Sequence, residues 1–268
     1  MTHRRLPTSV TPISCGDLVG AGVIVTRPAG SAGPLVRRIR ALGGNALCLP
    51  GLVLRALADP ACAARALTDA STGDWIFLSP AAVRFAFRIA PGFRLDGKSR
   101  VFAVGSATAR ALARRAIQAI APARADSEGL LALPELAAVR DRRIALAGAA
   151  DGRDLIAVTL RNRGAKVTAI HLYERAAPRL TRRHFTPLEQ ADDPLILLIS
   201  SAQALKNLMV LLPRSLLSRL HHQPLVASSE RLAALAHDGG FQDIVLARSA
   251  LADDLIDAAR RALARHRL

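Results

Sequence analysis

The sequence predicts an α/β protein with two doubly wound parallel sheets, and three observations lead to this prediction. Short apolar segments of strand length alternate with amphipathic segments of helix length, an order typical of parallel sheets with helices on both faces. The chain of 268 residues contains about nine or ten strand candidates, which suit two sheets better than one. The alternation breaks near residues 50–55 and again near residues 172–178. If the chain passes from one domain to the other at each of these two distant breaks, one domain is inserted in the other.

Each element follows from a local pattern of apolar, capping and helix-ending residues. Strands are apolar runs that stop at Gly, Pro, Ser or Thr, and helices carry apolar residues every three or four positions. In the last helix, Leu251, Leu255, Ile256, Ala259 and Leu263 share one face. The predicted strands cover residues 23–26, 46–49, 74–78, 101–104, 144–146, 167–172, 195–199, 225–227 and 244–246.

The same breaks predict the domain boundaries. Residues 21–50 and 177–268 would form the first α/β domain, and residues 57–170 the second, inserted one. Residues 51–56 and 171–176 would connect them. Residues 1–20 are basic and lack the apolar segment of a secretory signal, so we expect a flexible N-terminal tail.

The net charge, the aromatic content and the length of the apolar runs limit the kinds of partner that the protein could bind. The formal net charge is +16 and almost all basic residues are arginine, which favours a polyanionic partner such as nucleic acid, anionic lipid or a small polycarboxylate or polyphosphate. Solvated arginines would explain the same charge without any partner. Aromatic residues are only 3%, which argues against base-stacking platforms. No apolar run approaches the length of a membrane span.

The cysteines indicate a reducing compartment. Cys15, Cys48 and Cys62 form no CxxC pair and are odd in number, which predicts neither a disulfide framework nor a zinc site. Cys48 lies in an apolar run and is expected to be a small buried side chain. We therefore predict a cytoplasmic protein that holds no metal.

Small and hydroxyl-bearing residues follow most of the predicted strands. In open parallel sheets, ligands bind outside the carboxyl ends of the strands, where the amides at helix N-termini suit carboxylates or phosphates. The alternative is that these side chains only cap helices. The residues concerned are Thr26, Arg27, Ser79, Gly105, Gly148, Ser200, Ser201 and Ser229.

Several familiar chemistries are excluded by motif. The sequence has no GxxxxGK[ST] loop, no GxGxxG turn after the first strand and no GxSxG elbow. Its 7 histidines show no metal-ligand spacing. An enzyme with this sequence would depend on positioning and on backbone dipoles.

The ordered motifs resemble the uroporphyrinogen-III synthase family over roughly residues 22 to 265. The stretches that carry the resemblance are VIVTRP (23–28), LCLPGLVL (47–54), DWIFLSPAAV (74–83), VFAVGSATARAL (101–112), SEGLL (127–131), GRDLIAVTLRNRGAKVTAIHLYERAAP (152–178), LLISSAQAL (197–205) and VASSERLAALAHDGGF (226–241). Each motif alone is weak, whereas the full ordered set is specific.

The resemblance implies a fold and a reaction. It implies two α/β domains joined by a two-stranded connector, with the active site in the cleft between them. The substrate would be hydroxymethylbilane, a linear tetrapyrrole with eight carboxylates. The enzyme would remove its terminal hydroxyl as water, close the macrocycle and invert ring D through a spiro intermediate. No metal or organic cofactor would take part.

The resemblance also implies roles for particular residues. Tyr173 matches the recurring tyrosine of the family and would give a proton to the leaving hydroxyl. Thr108 matches a threonine that would bind a carboxylate. The other matched cleft positions are Arg27, Ser79, Arg153, Ser200, Ser201, Ser229 and Arg231. Ala81 and Ala147 depart from the family, which often has Asn and Arg there, and would remove polar groups from the cleft.

Partners and alternatives complete the expectation. We expect a monomer that takes its substrate from hydroxymethylbilane synthase and binds neither membrane nor nucleic acid. One alternative is a degenerate family member that binds tetrapyrroles without turnover. Another is a nucleic-acid-binding protein that uses the positive charge, in which case the arginines would form a stripe on one convex face.

Overall fold

The computed structural model describes residues 18–70, 73–150, 154–192 and 194–266. These residues form two compact units. The first consists of residues 18–53 with Ala177–Leu268, and the second of Leu54–Ala176. Each unit contains a five-stranded sheet. The predicted fold class, two parallel sheets with one domain inserted in the other, is confirmed.

The described part of the chain contains ten strands and eleven α-helices. The strands are β1 (Gly22–Val25), β2 (Asn45–Cys48), β3 (Val53–Arg55), β4 (Asp74–Phe77), β5 (Val101–Ala103), β6 (Arg143–Ala149), β7 (Lys166–Ala176), β8 (Leu195–Ile199), β9 (Leu225–Ala227) and β10 (Ile244–Leu246). The helices are α1 (Ala29–Ala41), α2 (Pro60–Asp69), α3 (Pro80–Ile89), α4 (Ser106–Ala113), α5 (Ser127–Leu131), α6 (Leu155–Asn162), α7 (Arg182–Glu189), α8 (Ala202–Leu211), α9 (Arg214–His221), α10 (Glu230–Asp238) and α11 (Ala252–His266).

The first unit has the strand order β10-β9-β8-β1-β2, with all neighbouring strands parallel. Side chains alternate between the two faces of the sheet, as the strand geometry requires. Val23 and Val25 of β1 pack into a core with α1 and α11. Ile24, between them, packs into a separate core with α8, α9 and α10. Leu18 is fully buried in the first of these cores, so the packed unit already includes residue 18.

The second unit has the order β3-β7-β6-β4-β5, in which β4, β5, β6 and β7 are mutually parallel. Trp75 and Phe77 of β4 pack with α2, α3 and α4 on one face. Ile76 packs with α5 and α6 on the other. The predicted connector segments, residues 51–56 and 171–176, contain β3 and the end of β7, which are neighbours in this sheet.

The cysteines are only partly as expected. Cys48 ends the edge strand β2 and is exposed, as is Cys62 on α2, so the expectation of a buried Cys48 is wrong. At an edge strand, one side of the backbone has no neighbour to cover it. Cys15 lies outside the described residues. Within the described ranges, no helix is long and apolar enough to cross a membrane.

Candidate functional site

In the first unit, the strand order places the polar strand ends side by side. In a sheet of this type, ligands bind where the strand order reverses, which here is between β1 and β8. Thr26 and Arg27 follow β1, and Ser200 and Ser201 follow β8. Ser229 follows β9, the next strand along. We call Thr26, Arg27, Ser200, Ser201, Ser229 and Arg231 the first-unit edge.

The hydroxyl groups of the first-unit edge have structural partners. Thr26 is 3% exposed, and its Oγ1 donates to the Leu198 carbonyl at 2.7 Å, which ties β1 to β8. Ser201 caps α8 by accepting from the Ala204 amide at 3.3 Å. Ser229 caps α10 in the same way. Helix capping, the alternative to ligand binding, therefore holds for both serines, while Ser200 stays half-buried.

Arg27 and Arg231 carry the charge of this edge. The Arg27 Nη2 donates to the carbonyl of Ala250, and burial lowers the pKa of Arg27 from its ordinary value. Arg231 is exposed on α10. Among the described residues, neither guanidinium forms an ion pair with a carboxylate. Both are thus available for an external anion, which guanidinium binds well through paired hydrogen bonds.

In the second unit, the order reverses between β4 and β6. Ser79 follows β4, Gly148 lies near the end of β6, and Tyr173 lies on β7 beside it. Ser79 caps α3 by accepting from the Ala82 amide at 3.0 Å. Its Oγ also lies 2.9 Å from the phenolic oxygen of Tyr173. Two residues that the sequence analysis selected separately are therefore hydrogen-bonded.

Tyr173 is held firmly. It is 3% exposed, and its ring stacks on Phe85 with a centroid distance of 5.0 Å and an interplanar angle of 22°. The register of β6 and β7 shifts at Gly148 and Ala149, so that Ala149 pairs with Tyr173. This bulge breaks the alternation of β7, and Leu172 and Tyr173 are both buried. Bulges commonly re-aim a side chain in this way.

Tyr173 also lines a cavity of about 290 Å³, which we call the Tyr173 cavity. Its apolar wall consists of Leu78, Val104, Ala149 and Ile156. Its polar wall consists of Asp126, Ser127, Glu128 and Arg175. A small cavity with one apolar and one polar wall suits one ring of an organic ligand that carries a polar substituent.

Asp126 on the polar wall is held in its charged form. Its carboxylate accepts from the Gly129 amide at 2.7 Å and pairs with Arg124. The Gly129 hydrogen bond, and after it the Arg124 partner, lower the pKa of Asp126 from its usual value. The stretch 127–131 contributes to the family resemblance, but no role was predicted for this wall from the sequence. The signal was present, because an Asp before a short helical segment is typical of an N-cap.

The remaining sites in this unit are tightly packed. A Cβ on Gly105 would lie 2.6 Å from that of Ala125, and one on Gly148 would lie 2.8 Å from Leu78 Cδ1. Both glycines thus permit close packing within the unit. Thr108 is 2% exposed, and its hydroxyl has no hydrogen-bond partner in the part of the chain that the structure describes.

The two alanines that depart from the family pattern lie in the core of the second unit. Ala81 and Ala147 are 7% and 0% exposed and belong to the apolar core around Trp75. Tyr173 belongs to the same core, and the effect of the two departures on a ligand site stays a prediction. Arg153 lies outside the described residues. No group of three potential metal ligands is found among residues 18–70, 73–150, 154–192 and 194–266.

Several arginines stabilise loops instead of binding a partner. Arg163 donates to the carbonyls of Leu131 and Leu136, each at 2.8 Å. Arg219 donates to the carbonyl of Leu188 at 2.8 Å and to that of Ala191 at 2.7 Å. Part of the positive charge therefore has a role within the fold.

Comparisons with known proteins agree on one family. The family model of uroporphyrinogen-III synthase HemD matches residues 33–257. The uroporphyrinogen-III synthase of Escherichia coli is 34% identical over 253 residues, covering 88% of this chain and 98% of that protein. The corresponding protein of Salmonella typhimurium is 33% identical over 255 residues, with the same coverage.

Solved structures support the fold. The crystal structure of a mutant uroporphyrinogen III synthase from Thermus thermophilus superimposes with a TM-score of 0.56 at 21% identity, covering 91% of this chain and 99% of that one. The crystal structure of the enzyme from Helicobacter pylori superimposes with a TM-score of 0.58 at 12% identity, covering 90% of this chain and 98% of that one. The family model, the relatives and the fold lead to one conclusion: the chain belongs to the uroporphyrinogen-III synthase family.

Proposed function

We propose that the protein converts hydroxymethylbilane to uroporphyrinogen III in tetrapyrrole biosynthesis. The observation that carries this proposal is the 34% identity to a uroporphyrinogen-III synthase that extends over 98% of that protein. The match covers 88% of this chain, and the family model covers residues 33–257, which include strand ends of both units. The reaction class is a cyclising hydro-lyase, and we propose that it uses no cofactor.

The reaction does not require a strongly acidic, basic or nucleophilic side chain. The C–O bond of the terminal hydroxymethyl group breaks, the hydroxyl leaves as water, and the ring A pyrrole becomes an azafulvene. The substituted carbon of ring D attacks it, and the spiro intermediate reopens and recloses with ring D inverted. Without enzyme, the bilane closes to the non-inverted isomer. The protein must therefore hold a flexible polyanion in a conformation that favours the closure with ring D inverted. Positioning of the substrate is enough for this.

The residues divide between binding and proton transfer. We assign Tyr173 as the proton donor to the leaving hydroxyl, since its phenol is a weak acid at the wall of a cavity. Arg27 and Arg231 would bind carboxylates, since neither guanidinium forms an ion pair with a described carboxylate. The other proposed substrate-binding residues are Thr26, Ser79, Gly105, Thr108, Gly148, Arg153, Ser200, Ser201 and Ser229. For the buried or capping members, we expect backbone amides to make the contact.

The proposal includes the setting of the reaction. The protein would act as a monomer in the cytoplasm and receive its substrate from hydroxymethylbilane synthase. The net charge of +16 supports attraction of an octacarboxylate.

The isomer composition of the product tests this function. Freshly prepared hydroxymethylbilane is incubated with and without the protein, and the products are oxidised and separated as porphyrin isomers. We expect mostly type III with the protein and type I without it, and dialysis against a chelator should leave the type III yield unchanged. A type III to type I ratio equal to that of the sample without protein would contradict the proposal and favour a degenerate family member.

A further inference from the structure

We infer that Ser79 is a positioning residue that acts through Tyr173, and that the pair forms a short proton-donating chain ending at the Tyr173 cavity. This inference rests on the proposed function, because it concerns the loss of the substrate hydroxyl. The features that carry it are the 2.9 Å contact between the two hydroxyls, the amide at the start of α3, and the cavity.

The hydrogen bonds of Ser79 determine which hydroxyl donates in its contact with Tyr173. Its Oγ already accepts from the Ala82 amide at 3.0 Å. A serine hydroxyl has one proton and two lone pairs, and accepting from an amide makes its own proton a better donor through cooperativity. Ser79 can therefore donate to the phenolic oxygen of Tyr173. The phenolic proton is then free to turn toward the cavity.

The surroundings of Tyr173 leave the ring no alternative position. Phe85 stacks on the ring and the residue is 3% exposed. Rotation of the phenolic O–H alone can therefore aim its proton at a ligand in the cavity while the oxygen keeps the hydrogen bond from Ser79. Ser79 thus decides which group receives the phenolic proton, although it need not touch the substrate itself.

Loss of the substrate hydroxyl takes one proton from Tyr173. The pyrrole nitrogen lone pair expels the hydroxyl, the phenol of Tyr173 gives that hydroxyl its proton, and water leaves. The phenolate that remains accepts the Ser79 hydrogen bond, and the positive end of the α3 dipole lies behind it. Loss of the pyrrole N–H proton completes the neutral azafulvene and restores the phenol.

Steady-state kinetics with hydroxymethylbilane provides the first test. Ser79→Ala should lower kcat about tenfold, as expected for one lost hydrogen bond, and change KM less than about twofold. Ser79→Thr, which keeps both hydroxyl and cap, should recover most of kcat. In a Tyr173→Phe background, Ser79→Ala should have almost no further effect on kcat, because the two residues act as one unit. Additive losses of kcat would overturn the inference.

A spectroscopic test does not depend on activity. Tyr173 is the single tyrosine of the chain, so protein labelled with ¹³C at tyrosine Cζ gives one resonance that needs no assignment. Ser79→Ala should shift this resonance and Ser79→Thr should restore it. Asp59→Ala, which removes the N-cap of α2 in the same unit, should leave it in place. An unchanged resonance in Ser79→Ala would overturn the inference.

The two tests separate the possible failures. If the wild-type protein makes no type III isomer, the proposed function fails while the resonance still reports the hydrogen bond. If the wild type is active but the losses of kcat are additive, only the role of Ser79 fails. Melting temperatures of all variants identify any loss that is merely a folding defect.

Discussion

The first unit leaves its charged strand-end side chains accessible, with Arg27 half-buried and Arg231 exposed. The second unit instead buries its most informative pair, and Ser79 and Tyr173 meet where the ring is 3% exposed. Both sheets nevertheless reverse their strand order at the equivalent place. The same architecture can therefore present groups that bind an anion or groups that handle a proton, depending on which side chains follow the strands.

The hydrophobic cores of the two units also differ, in their content of aromatic side chains. Trp75, Phe77, Phe85 and Phe93 pack in the core of the second unit, whereas the cores of the first unit consist mainly of aliphatic side chains. Large, flat side chains fix a neighbouring ring through stacking, which is what Phe85 does for Tyr173. We expect changes in the second unit to lower kcat and changes at the first-unit edge to raise KM.

Tyr173→Phe should have the largest effect. Loss of the phenolic proton should lower kcat about 100-fold, the lower range for general acid catalysis, with KM nearly unchanged. Some turnover should remain, because positioning still favours the inverted closure. Initial rates of type III formation measure this, and a complete loss of activity in a folded protein would contradict the view that no side chain is indispensable.

Arg27→Met should act on binding. Because Arg27 is proposed to bind a substrate carboxylate, its loss should raise KM about tenfold, consistent with a charged hydrogen bond, and leave kcat within about threefold. Arg37→Met removes an exposed arginine from α1 of the same unit and serves as the control. If both variants raise KM equally, the effect comes from overall charge and the first-unit edge has no special role.

The two buried threonines give a smaller contrast, in stability. Thr26→Val loses the hydrogen bond to the Leu198 carbonyl and should lower the free energy of unfolding by about 1 kcal/mol. Thr108→Val loses no hydrogen bond to a described residue and should cost nothing or stabilise slightly. Urea denaturation measures both. A larger loss for Thr108→Val would show that its hydroxyl stabilises the fold.

The smallest effect concerns pH. The lowered pKa of Asp126 means that its charged form stabilises the folded state above its unfolded pKa, and that this stabilisation is lost as pH falls through the lower, folded pKa. Asp126→Ala should therefore lower the melting temperature slightly at pH 7, with the difference from wild type shrinking below about pH 4. Asp126→Asn keeps the cap but does not titrate, so its melting temperature should lack this pH-dependent component. A difference in melting temperature between wild type and Asp126→Ala that is the same at every pH would contradict this explanation.

Regular elements could be predicted from sequence where the apolar pattern is strong. The strand at Leu195–Ile199 has the predicted bounds, because five apolar residues are followed by two serines. Helix α7 was not predicted, since its sequence is basic and contains Pro187. It forms because a capping box at Thr181 and His184 satisfies its first turn. Strand β3 was not among the strands predicted from the apolar pattern, because it lies in residues 51–56, which were assigned to a connector.

The candidate site was predictable only in part. The rule about strand ends selected Ser79 and the family resemblance selected Tyr173, but neither predicts the hydrogen bond that joins these positions 94 residues apart. It also depends on the bulge beside Gly148, which no local pattern announces. The burial of Ala81 and Ala147 was not predictable either, since an alanine fits a core and a ligand site equally well.

A single-turnover experiment tests the division between the two units most directly. Hydroxymethylbilane is mixed with increasing excess of wild-type protein, Arg27→Met or Tyr173→Phe, and the rate constant of type III formation is followed to its plateau. The account predicts that Arg27→Met reaches a plateau within about threefold of wild type at higher protein concentration, while the Tyr173→Phe plateau stays about 100-fold lower. A reduced plateau for Arg27→Met together with a normal plateau for Tyr173→Phe would contradict it.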